Sequence, residues 1–116
     1  MMTASEAHGL HLIADLHGCK ASPDGEAMER LLRAAAAAGR ARVLAVQLHT
    51  FGETGGLAGV ALLAESHISI HTWPEYCYAA VDVFICGANA DANAALQLLK
   101  DGLQAAESTV RRIERR

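Results

Sequence analysis

Cysteine is scarce in this chain, and its three residues, Cys19, Cys77 and Cys86, make an odd set without CxxC spacing. A disulfide framework and a structural zinc site are both disfavoured by that pattern. No stretch approaches the roughly 20 apolar residues of a membrane span. The polar, mixed-charge start after Met1-Met2 has no apolar segment of the secretory kind. Charge of one sign is also missing: 10 Lys and Arg stand against 13 Asp and Glu, for a formal charge of −3. No basic stripe runs along any segment, so neither nucleic acid nor a membrane is the expected partner. The one dense basic stretch, Arg111-Arg112 with Arg115-Arg116, reads as a solvated final strand or tail. These absences together predict a protein of a reducing cytoplasm.

What remains is a single domain over residues 1–116. Its 52% hydrophobic fraction, much of it alanine, suits a compact globule. A domain of this size buries only about two-thirds of its unfolded surface. That supports a two-layer core but no deep cavity of the protomer's own. An active site is therefore expected in a groove or at a subunit interface.

Along the chain, Gly9 to Leu16 is a short apolar strand that stops at His17-Gly18-Cys19. Ser22-Pro23 predicts a helix start, a hydroxyl cap with proline at the first helical position. Met28, Leu31, Leu32 and Ala35 follow helical spacing, and Gly39 is expected to be a left-handed stop. Ala41 to Phe51 reads as a second strand, Gly52 to Gly56 as a turn and Leu57 to Ala64 as a third strand. Ser66 to His71 alternates as a fourth, closed by Pro74, and Tyr78 to Cys86 is a fifth. Asn89 or Asp91 caps a second helix with Leu96, Leu99 and Leu103 inward, and Glu107 to Glu114 is a final edge strand. The order β-α-β-β-β-β-α-β with tight central turns predicts an α+β fold. Its form is a two-layer sandwich, a mainly antiparallel sheet with two helices on one face.

Among the residues able to carry chemistry, His67 and His71 first suggest a metal. On a strand, however, they lie roughly 13 Å apart at about 3.3 Å per residue, too far to share one ion. No metal is expected. The surrounding run from Glu65 to Glu75 packs ionisable and hydroxyl groups into a half-buried strand. Each alone has an ordinary structural explanation: Ser66 as a turn residue, His71 as a satisfied core histidine, Glu75 as a solvated carboxylate, Cys86 as an inert buried thiol.

Taken whole, Ala64 to Gly87, AESHISIHTWPEYCYAAVDVFICG, resembles the signature of the short prokaryotic, pyruvoyl-dependent S-adenosylmethionine decarboxylase proenzymes. The similarity extends back through HLIADLHGC and the His49-Thr50-Phe51 stretch, and covers most of the chain. The resemblance implies self-cleavage between Glu65 and Ser66, giving a β chain of residues 1–65 and an α chain of residues 66–116. Ser66 would attack the Glu65 carbonyl, and β-elimination would leave a pyruvoyl group, the self-generated cofactor, at the head of the second chain. That group forms a Schiff base with the substrate amine and acts as electron sink during decarboxylation. His71 matches the family's proton acceptor in processing, and Cys86 its proton donor to the substrate carbon. A thiol can serve there if its surroundings keep it protonated. Phe51 matches an adenine-stacking residue and Glu75 a carboxylate for the ribose hydroxyls. The resemblance also implies a homodimer of αβ protomers with shared pockets, and a role in polyamine synthesis.

The chain departs from the family pattern in places. Ala58 stands where a serine assists processing, and Thr54 is the nearest hydroxyl in sequence. The Gly52-Glu53-Thr54 loop replaces a proline-containing turn, Cys77 a glycine, His17 a tyrosine and Ile85 a threonine. Two other readings therefore stay open: the same chemistry on arginine or ornithine, and an unprocessed, non-catalytic homologue that binds a ligand or a partner subunit.

Overall fold

Strand residues in this chain alternate between two environments, and that alternation sets the architecture. The structure is a computed structural model describing residues 9–87 and 89–115; the polar start at residues 1–8 and Arg116 lie outside them. Among the described residues, six strands and two helices follow in chain order: β1 (Gly9–His17), α1 (Gly25–Ala38), β2 (Val43–Thr50), β3 (Leu57–Leu63), β4 (Ser66–Trp73), β5 (Tyr78–Cys86), α2 (Ala92–Leu103) and β6 (Glu107–Arg115). A single 3₁₀ turn, Pro74–Tyr76, joins β4 to β5. The strands form one sheet in the order β2-β3-β4-β5-β1-β6. Every neighbouring pair is antiparallel.

One face of the sheet is apolar and covered. Leu12, Ala14 and Leu16 of β1, Ile68 and Ile70 of β4, and Ala79, Val81, Val83 and Ile85 of β5 share a core with Met28 and Leu32 of α1 and Leu96, Leu99 and Leu103 of α2. Each fully buried leucine contributes roughly 1.5–3 kcal/mol relative to exposure. The period of two then sends His11, Ile13 and Asp15 of β1 to the opposite face. With them go His67, Ser69, His71 and Trp73 of β4, and Tyr78, Ala80, Asp82, Phe84 and Cys86 of β5. No helix among the described residues covers that second face, and none is long and apolar enough to cross a membrane.

The helix ends correct two sequence expectations. Asp24, not Ser22, caps α1: its side chain accepts the Ala27 N–H at 2.9 Å. Its carbonyl also takes the Met28 N–H at 2.7 Å. Gly39 is not left-handed (φ −78); the following Arg40 is, at φ 60. Space, not backbone freedom, explains the glycine, since a Cβ there would stand 2.8 Å from Ile85 Cδ1 and 3.2 Å from Ala95 Cβ. At α2, Asp91 is the cap and Asn89 is not; Asp91 Oδ1 accepts the Ala94 N–H at 2.9 Å.

Candidate active site

The β3–β4 hairpin turns through Ala64 and Glu65, and Glu65 adopts a left-handed backbone at φ 65. A non-glycine residue in that region costs about 1 kcal/mol or more, and such strain concentrates at functional sites. Ser66 opens β4 immediately afterwards. Its hydroxyl oxygen accepts the backbone N–H of Cys86 at 3.0 Å. The bond that the sequence singles out therefore joins a strained residue to a serine already held in place. Cys86 is half-buried at the end of β5, where it pairs with Gly9 of β1. A Cβ at Gly9 would meet Cys86 Sγ at 2.7 Å and Phe84 Cε1 at 2.6 Å, so only glycine leaves room for the thiol.

The remaining sequence-predicted residues gather at the opposite end of β4. His71, five residues beyond Ser66, lies about 16 Å along the strand from it. Phe51 stacks on the His71 ring (centroids 5.8 Å, 24° between planes). Trp73 stacks on the same ring at 3.8 Å and 16°. Glu75 is exposed on the 3₁₀ turn that follows. The loop carrying Phe51 is closed on itself by one hydrogen bond and tied to this end of β4 by another. Phe51 N–H donates to Gly56 O at 2.8 Å, and Leu57 N–H donates to the buried Thr72 hydroxyl at 3.0 Å. A groove of about 480 Å³ opens beside His71 on the uncovered face, lined among others by Gln47, His49, Ala58, Ser69 and Asp82. That volume suits a nucleoside-sized ligand.

The structure thus brings Ser66 together with Cys86 and Phe51 together with His71, with Glu75 on the turn that follows β4, but leaves the two groups apart within one chain.

Sequence reasoning missed several side chains on the uncovered face. Tyr78 donates its phenol proton to Asp15 Oδ1 at 2.5 Å. The hydrogen bond to Asp15, then burial and the carboxylate's charge, hold the phenol pKa above its usual 10.0. Tyr78 also stacks on Trp73 at 5.1 Å and on His17 at 5.0 Å. His11 Nε2 lies 3.2 Å from Asp82 Oδ1. Asp82 Oδ2 also takes the Ser69 hydroxyl at 3.2 Å. These residues alternate in sequence like any half-buried strand, and period alone carries no sign that their rings touch.

The departures from the family pattern also have places in the fold. Cys77, in a usual glycine position, ends the 3₁₀ turn at φ 50, the left-handed region that favours glycine. Its carbonyl accepts the Cys19 N–H at 2.9 Å. Burial, then the neighbouring Cys77, pushes the Cys19 thiol pKa up. Ile85 is buried in the core, and Thr54 accepts the Gly56 N–H at 3.2 Å, within its own turn.

Comparison with known proteins agrees with the fold. The sequence profile of S-adenosylmethionine decarboxylase matches residues 10–116, which places the protein among the carboxy-lyases. A Thermomicrobium roseum relative, an S-adenosylmethionine decarboxylase proenzyme, is 39% identical over 107 residues, 92% of this chain and 92% of that one. A Synechococcus relative of the same description is 48% identical over 105 residues, covering 89% and 81% of the two chains. The crystal structure of the adenosylmethionine decarboxylase of Aquifex aeolicus superposes with a TM-score of 0.84 at 34% identity, over 95% of this chain and 92% of that one. The chain belongs to the S-adenosylmethionine decarboxylase family.

Proposed function

We propose that this protein cuts itself between Glu65 and Ser66 and then decarboxylates S-adenosylmethionine, supplying the aminopropyl donor of spermidine synthesis. The observation that carries the reading is Ser66 itself. It follows a left-handed Glu65 at a hairpin turn, with its hydroxyl held at 3.0 Å by the Cys86 N–H.

The chemistry follows from those positions. Ser66 Oγ attacks the Glu65 carbonyl carbon, the C–N bond breaks, and an ester replaces the amide. His71 then takes the Ser66 Cα proton, the Cβ–O bond breaks, and Glu65 leaves as the carboxylate ending residues 1–65. The resulting enamine tautomerises and hydrolyses, releasing ammonia. A pyruvoyl group fits this position, since it needs no more space than the serine it replaces and keeps the Cys86 N–H as neighbour. It supplies a carbonyl that draws electrons from the substrate as carbon dioxide departs. Cys86, at the same strand end, delivers the proton to the substrate carbon. Phe51 stacks on the adenine and Glu75 accepts the ribose hydroxyls.

Two copies complete the site. About 16 Å of strand separates Ser66 from His71 in one chain, far beyond the reach of a proton transfer. A second copy laid face to face about a two-fold axis sets one copy's Ser66 end against the other's His71 end. The uncovered face suits such a partner: it carries Ile13, Leu62 and a row of aromatic rings beside the hydrogen-bonded Asp15 and Asp82, and Leu62 is 51% exposed. We place this homodimer of αβ protomers in a reducing cytoplasm, where Cys19, Cys77 and Cys86 stay the free thiols of the structure.

Intact mass of the purified protein tests the proposal. Two fragments, 1–65 and 66–116, are expected, the second lighter by one ammonia than a serine-headed chain. Processed protein should then release carbon dioxide from S-adenosylmethionine. A chain that stays whole on prolonged incubation would remove self-cleavage from the reading and leave a binding homologue.

A further inference from the structure

We propose that Trp73 is a positioning residue for self-cleavage: its indole is the shelf that fixes the His71 ring for proton abstraction. The inference rests on the assignment of His71 as the processing base. Catalytic histidines are ordinarily oriented by a hydrogen bond from one ring nitrogen to a carboxylate or carbonyl. Among the described residues of this chain no side-chain hydrogen bond holds the His71 ring, and two stacked rings pack on it instead.

Two rings supply that packing, and they differ. Phe51 sits 5.8 Å away on a loop and is 41% exposed, and substrate is expected to engage it. Trp73 shares the strand with His71, two residues on and on the same face, with centroids 3.8 Å apart and planes within 16°. Trp73 is itself backed from across the β4–β5 ladder. Tyr78 is its register partner, stacks on it at 5.1 Å and is anchored to Asp15 at 2.5 Å. The stack fixes the imidazole plane and leaves its nitrogen-bearing edge free for the proton. Displacements of about 1 Å in such a group cost on the order of 100-fold in rate.

The test separates the two steps of processing. Hydroxylamine cleaves an ester but not an ordinary peptide bond. Chain that has formed the ester and stalled is therefore cut at 65/66 into a Glu65 hydroxamate and a serine-headed 66–116. Trp73→Leu keeps an apolar side chain but removes the flat ring; Trp73→Phe restores a ring. Expected are a roughly 10- to 100-fold slower cut in Trp73→Leu with ester accumulating, and a rate close to wild type in Trp73→Phe. Wild-type speed in Trp73→Leu would overturn the shelf. So would an uncut Trp73→Leu without hydroxylamine-sensitive ester, because the damage would then precede the step assigned to His71. His71→Ala, run alongside, reports on the underlying reading: it should stall at the ester, and if it cuts normally that assignment fails whatever Trp73 does.

Discussion

Ala58 stands directly across the β3–β4 ladder from His71. Cross-strand partners of this kind hold their Cβ atoms about 4.5–5.5 Å apart on one face of the sheet. A serine hydroxyl at position 58 would therefore lie beside the His71 ring, and with methyl in its place that donor is lost. Thr54, the nearest hydroxyl in sequence, sits in the preceding turn, where it accepts the Gly56 N–H at 3.2 Å. Ala58→Ser is expected to hasten self-cleavage by about 10-fold, the low end of what one proton-handling group adds. A time course of intact mass measures it. An unchanged or slower cut would mean that processing in this chain does not use a hydroxyl at that position.

Gly9 and Cys86 give a second expectation, aimed at turnover instead of processing. A methyl on Gly9 stands 2.7 Å from Cys86 Sγ and 2.6 Å from Phe84 Cε1, so the thiol must move. Ser66 keeps its hydrogen bond to the Cys86 backbone, so Gly9→Ala should still cut itself. Its kcat for decarboxylation should fall by about 10-fold or more with KM little changed. Unaltered kcat would remove Cys86 Sγ from the chemical step.

The proposed face-to-face pairing predicts that two crippled chains rescue one another. Ser66→Ala has no residue to become the cofactor, and His71→Ala has no base, so neither is processed alone. In a mixed dimer the intact Ser66 of one copy meets the intact His71 of the other. Coexpressed in equal amounts and paired at random, about half of the His71→Ala chains should be cut. No cutting in the mixture, with wild type cutting normally, would show that each chain serves itself.

Much of this was legible in the sequence because it is written in periods. Alternation from Ser66 to His71 and from Tyr78 to Cys86 gave the faces of β4 and β5. The spacing of Leu96, Leu99 and Leu103 gave the buried side of α2. The family signature named Ser66, His71 and Cys86 but not their arrangement. Strand rise alone sets Ser66 and His71 far apart, and only the folded sheet shows which residues gather at each end of β4. The position of β1 between β5 and β6 depends on non-local pairing, which no local pattern encodes. The stack of Trp73 on His71 was equally hidden, because alternation says which face two rings share and nothing about their contact. At the start of α1 a second capping side chain, Asp24, lies two residues beyond Ser22. Ser22-Pro23 matched the commoner motif, and Asp24 won because its side chain reaches Ala27 while its carbonyl takes the Met28 N–H.

The Tyr78–Asp15 contact makes a prediction about alkaline pH. The hydrogen bond to Asp15, with burial and the carboxylate's charge, raises the Tyr78 pKa above its ordinary 10.0 in the folded state. An unfolded chain gives up that proton near the ordinary value, so between the two values the unfolded state binds fewer protons than the folded one. Stability then falls as pH rises. The stabilisation is complete below the unfolded pKa and is lost as pH climbs through the folded one. Thermal unfolding followed from pH 8 to 11 should show Tm dropping more steeply above about pH 10 in wild type than in Tyr78→Phe, which has no proton to lose there. Parallel curves for the two proteins would mean that the phenol is not held by Asp15 in solution, and the anchor beneath Trp73 would go with it.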